Sequence, residues 1–144
     1  MATHTPAESA TETTTQRIGR IALGSFMVFA GISHLTFARE EFSAQVPPWV
    51  PVSTDVVVLA SGVVEIALGA SMIALTKRRA AVGLLLAAFF VVIFPGNIAQ
   101  WMHHRDAFGL NSDRARLIRL FFQPVLIAWA LWSTGAWRCL GRRR

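Results

Sequence analysis

The chain has 144 residues, of which 53% are hydrophobic and only 15% charged, and its mean hydropathy is +0.47; this excludes an ordinary water-soluble domain and points to a membrane protein. The net charge is +6, but the basic residues stand at the ends of apolar runs rather than on a polar surface, so they read as topology signals and nucleic acid is excluded as a partner. The single cysteine, Cys139, lies among arginines beyond the last apolar run, which excludes an internal disulfide, a CxxC pair and dithiol chemistry by this chain alone.

Residues 1–16 carry six threonines and two glutamates with almost no large apolar side chain, a composition expected to form a disordered polar tail. Arg17 and Arg20 then lead into an apolar stretch too long for a signal-peptide core, so the first helix is expected to remain in the membrane. Four apolar runs follow, at 18–37, 56–75, 80–99 and 120–137. Each approaches the roughly 20 residues that cross a bilayer. They are continuous rather than alternating, so helices and not barrel strands are expected. With their polar shoulders the helices should occupy 18–37, 56–75, 80–101 and 116–137, forming a membrane domain over 17–138, with a basic C-terminal tail at 139–144. The second and third runs are separated only by Thr76, Lys77, Arg78 and Arg79, which makes them antiparallel neighbours. The expected fold is all-α: a four-transmembrane-helix bundle of antiparallel up-down topology.

Four spans put the N-terminus, the 76–79 turn and the C-terminus on one side, with nine of the fourteen lysines and arginines. Arg39, Arg105, Arg114, Arg116 and Arg119 fall on the other side. The excess places both termini in the cytoplasm and the two longer loops outside. Trp49, Trp101 and Trp137 lie near span ends, where an indole keeps its N–H wet and its ring in lipid.

Glu65 is the most informative residue, because it lies halfway along the second run, roughly 15 Å from either end at 1.5 Å per residue. A charged carboxylate there costs about 2.5 to 3.5 kcal/mol on insertion scales, so it is either protonated or partnered in the bundle interior. Ser61, Gly62 and Gly69 share its face, which admits a close neighbour. The plain alternative is a carboxyl that only binds helices together. His34 lies one turn from the outer end of the first helix; Asn97 and Gln100 reach that depth on the third, and Arg116, Arg119 and Gln123 on the fourth. The inner halves are mostly Leu, Val, Ala, Phe and Trp. This asymmetry predicts a polar cavity open to the outside, floored by Glu65 and plugged below by apolar side chains.

Blander readings stand beside each member. Arg119, and more so Arg116, can snorkel to the outer headgroups. His34 can be an interfacial histidine with its bonds met, and Asn97 can repair the carbonyl groups freed by Pro95. Pro124 after Gln123 opens a similar break in the fourth helix. In the outer loop, Pro47, Pro48 and Pro51 prevent a regular helix, and the apolar segment around Trp49 is expected at the interface, as a cover for the cavity or as a surface anchor. His103 and His104 point about 100° apart on a helix and cannot face one ion, so neither a metal site nor a haem is expected. No phosphate loop, nucleophile elbow or HExxH motif is present.

The segments GISH, PPWVP, SGVVEIALG, FPGN and RLIRLFFQP, in this order and spacing, resemble the DoxX-like family of small four-helix membrane proteins. The resemblance covers most of 17–137. It implies a bundle in a bacterial inner membrane and a link to redox physiology, including subunits of thiosulfate:quinone oxidoreductase systems. Carried over by position, it marks His34, Glu65, Asn97, Arg119 and Gln123. The chain departs from cysteine-bearing relatives in having no cysteine pair, which argues against a direct thiol relay.

The leading expectation is an accessory or catalytic subunit of a membrane redox system, set in the lipid bilayer beside a redox protein partner. It would bind a quinone or small anion, with Glu65 and His34 in the catalytic role and Arg119, Asn97, Gln100 and Gln123 holding the ligand. A small proton-coupled permease using Glu65, which with four helices would need to form a homo-oligomer, is the first alternative. A structural membrane partner with no chemistry of its own is the second.

Overall fold

The structure, a computed structural model, describes residues 11–142, whose regular secondary structure is helical with no strand among them. Four helices are long and apolar enough to span a membrane. They are α1 (Thr14–Leu35), α3 (Thr54–Ala74), α4 (Arg79–Met102) and α5 (Asp113–Thr134), with short helices α2 (Arg39–Ser43) and α6 (Trp137–Gly141) at their ends. A single 3-10 turn, Thr76–Arg78, joins α3 to α4.

The helices begin earlier than the apolar runs because polar caps start them. Thr13 accepts from the Gln16 backbone N–H while the Gln16 side chain accepts from that of Thr13, a reciprocal box that starts α1. The expected tail at 1–16 is thus corrected at its end: Thr14, Thr15 and Gln16 are helical, and residues 1–10 lie outside the described residues. Ser53 and Ser112 cap α3 and α5 more simply, their hydroxyls accepting from the backbone N–H of Val56 and of Ala115. At the other terminus Gly135, at φ 72°, takes the left-handed conformation that closes α5 three residues before the expected 137. The expected tail at 139–144 begins inside α6, and residues 143–144 lie outside the described residues.

The helices pair into two leaves, α1 with α3 and α4 with α5. In the first leaf Gly24 lies against Gly69 and Gly31 against Gly62, and a Cβ on Gly31 would stand 2.5 Å from the Gly62 carbonyl oxygen. Only glycine allows this approach, and in lipid such close packing is the main attraction between helices, because no water is displaced. The leaves meet at the end that carries the Thr76–Arg78 turn. There Leu23, Met27, Met72, Leu86, Phe90 and Ala130 form one buried cluster. Gln16 Nε2 donates to the Trp132 carbonyl at 3.0 Å and Trp129 Nε1 to that of Gly19 at 2.9 Å. Toward the opposite, loop-bearing end the leaves diverge around a cavity.

Candidate functional site

The cavity measures about 410 Å³ and is lined by all four long helices. From α1 comes His34, from α3 Glu65, from α4 Asn97, and from α5 Arg119 and Gln123. These side chains project inward because each continues the buried stripe of its helix: His34 follows Met27 and Gly31, Glu65 follows Val58 and Gly62, Asn97 follows Phe90, and Gln123 precedes Ala130. Five of the six residues expected at the site are therefore together.

Gln100 is the exception. Though buried, it lies beyond the cavity, accepting from Gln45 Nε2 at 3.3 Å and donating to the Arg105 carbonyl at 3.3 Å. It ties the two loops and is removed from the expected ligand-binding set. Arg116 does not snorkel either. It is buried and held by Asp106, by Asp113 at 2.7 Å and by the Arg105 carbonyl at 3.2 Å.

His34 and Glu65 are 4% and 6% exposed, and Nδ1 of the first lies 2.9 Å from Oε2 of the second. The separation suits a hydrogen bond but the directions do not, and both atoms remain without an aligned partner among the described residues. Asn97 Nδ2 donates to Gln123 Oε1 at 3.0 Å, and Gln123 Nε2 donates to the Phe90 carbonyl at 2.7 Å. Asn97 Nδ2 is thus spent on Gln123 rather than on a carbonyl of its own helix near Pro95. Asn97 Oδ1, in a residue 5% exposed, accepts nothing from the described residues. Arg119 is half-buried on the cavity wall, within electrostatic reach of Glu65. Among the described residues it makes no hydrogen bond or ion pair within contact distance.

The cavity is roofed, whereas the expectation was an opening at the loop end. Phe42, on α2, sets its ring edge-on to the His34 imidazole, and Val46, Pro47 and Val50 continue the cover. The roof is pinned from the other leaf: Arg105 donates to the Val46 carbonyl at 2.9 Å and the Ala44 carbonyl at 3.3 Å, and Glu41 accepts the Phe108 N–H at 2.6 Å. Gly96 makes room for it, since a Cβ there would stand 2.5 Å from the Gln45 carbonyl oxygen. Sequence reasoning missed Phe42, Gln45 and Arg105. The available signal was the glycine of the FPGN segment, which marks close backbone approach. Among the described residues no group of three potential metal ligands converges.

These features define a helical protein with four membrane-length helices and a roofed, partly polar cavity between two leaves. The chain belongs to the family described as a domain of unknown function (DUF8561), whose pattern matches residues 23–134. No curated protein and no solved structure matches the chain.

Proposed function

We propose that the chain is a DoxX-like protein of a bacterial inner membrane, an antiparallel up-down bundle with both termini in the cytoplasm. In this reading it is an accessory or catalytic subunit of a membrane redox system, beside a redox protein partner. The cavity binds a quinone or a small anion: Arg119 donates hydrogen bonds to the ligand's oxygen, Asn97 and Gln123 fix its orientation, and Glu65 and His34 accept or relay a proton. One observation carries the proposal: Arg119, with five donors and no partner within contact distance among the described residues, faces a cavity that also holds the unaligned His34–Glu65 pair.

Titration of the purified protein with a quinone analogue and with thiosulfate tests it. Binding to the wild type with at least a tenfold loss, about 1.4 kcal/mol, in an Arg119→Ala, Glu65→Gln double variant is expected. Equal affinity in both proteins overturns the reading.

The burial of Glu65 near mid-span favours a second reading, a proton-coupled permease. Passage would require opening the apolar floor formed by Leu23, Met27, Leu86 and Phe90, and four helices would require a homo-oligomer. Counterflow in liposomes that Glu65→Gln abolishes separates it from the first.

A further inference from the structure

The polar groups of the cavity are specific about what they lack. Arg119 offers donors and needs an acceptor. Asn97 Oδ1 is buried, has no donor and needs one. Gln123 is engaged at both ends by Asn97 and the Phe90 carbonyl, so Arg119 and Asn97 Oδ1 are the groups with no partner among the described residues. An oxyanion or an oxidised quinone supplies acceptors only and has no donor for Asn97 Oδ1. A hydroxyl set beside an oxygen acceptor meets both needs.

The remaining walls describe the body of the ligand. Phe26, Phe89, Val92, Ile93 and Leu126 make most of the cavity apolar. Its volume falls in the range of about 300 to 1,000 Å³ that takes organic molecules of drug size. A small inorganic anion would leave most of it empty and apolar. The way in is also legible. The loop end is covered by Phe42, Val46 and Pro47, and the turn end by the buried cluster. Between these, no hydrogen bond among the described residues crosses from one leaf to the other. Two lining residues on this stretch reach the flanks of the bundle, Val92 at 73% and Phe26 at 52% exposure. On helices of membrane length those flanks face lipid.

We infer that the cavity takes a single-chain amphiphile from the bilayer, entering sideways between the leaves, whose head carries an O–H donor beside an oxygen acceptor. This rests on the reading of the cavity as a binding site and assigns it a ligand other than the oxidised quinone or anion. Arg119 takes the acceptor, Asn97 Oδ1 takes the O–H, and the chain lies along Phe89, Val92 and Leu126.

The test uses the full chain in lipid nanodiscs and a dodecanol with a diazirine at mid-chain, photolysed and mapped by mass spectrometry. Adducts at the inward-facing Phe89, Phe90 and Ile93 are expected. Excess decanol should reduce them at least tenfold, while decyl methyl ether, which has the same chain but no O–H, and thiosulfate should leave them. Asn97→Leu should erase the difference between decanol and the ether; the competition series on the wild type decides the matter even if that variant does not fold. Equal displacement by the ether, displacement by thiosulfate, or labelling only of outward faces overturns the inference. If thiosulfate or a quinone analogue binds through Arg119 while dodecanol leaves the cavity unlabelled, the inference falls and the redox reading stands. Donor-dependent labelling without binding of either has the opposite meaning.

Discussion

Arg20 shows how far one side chain's role can depart from its place in the sequence. It is 1% exposed, donates from Nε to Glu12 at 2.6 Å, and caps the end of α3 by donating from Nη1 to the carbonyls of Met72 and of Ile73 at 3.3 Å. Those carbonyls have no partner within their own helix, and a cation at a helix C-terminus also meets the negative end of its dipole. Arg20→Met should therefore cost about 1 to 3 kcal/mol in denaturant unfolding, since it leaves both carbonyls unmet and Glu12 hydrogen-bonded only to Arg17. The Arg20 guanidinium, helped by smaller contributions from Arg17 and Arg79, outweighs the effect of burial and holds the Glu12 carboxyl below the usual carboxylate range. Because the folded value is the lower one, this contribution is complete above the ordinary glutamate range and is lost as pH falls through the depressed value. Glu12→Gln should remove that acid-dependent step from the unfolding profile; an unchanged profile would show that the contact is idle. Composition hid this pair, because Glu12 sits in a threonine-rich stretch and its partner is eight residues away. His34, Glu65, Asn97, Arg119 and Gln123 were legible for the opposite reason: a polar side chain in an apolar run stands out, and 1.5 Å per residue sets its depth. Gln100 obeyed the same arithmetic but its helix carries it past the cavity to the loops.

At the scale of elements, the four long helices could be read from the apolar runs, while their ends could not. Thr13, Ser53, Ser112 and Gly135 decide those ends by capping, and caps lie in the polar flanks where hydropathy is silent. The roof was half legible. Three prolines ruled out a regular helix across 47–51, but the five-residue α2 that brings Phe42 over His34 has no periodic signature. Docking of the roof depends on the missing side chain at Gly96, where added atoms would meet backbone rather than a flexible tip. Gly96→Val should lift the 44–50 segment, raising its amide hydrogen exchange while α5 stays protected. Exchange that stays low across 44–50 would contradict the roof's placement.

The whole molecule is two tightly packed leaves joined at one end by an apolar cluster and held apart at the other around partly unmet polar groups. The sequence revealed the depth of those groups but not the leaves, because pairing depends on which glycines face each other across helices. The account holds that His34 and Glu65 are kept for a ligand and not for the bundle. Its most direct test is the melting temperature, in detergent, of a variant that replaces both partners together, His34→Leu with Glu65→Met. Two unaligned buried polar groups are then exchanged for packing, so the midpoint should stay level or rise. A fall of more than about 4 °C, roughly 1 kcal/mol for a domain of this size, would mean that the pair holds the helices together, and would contradict the account.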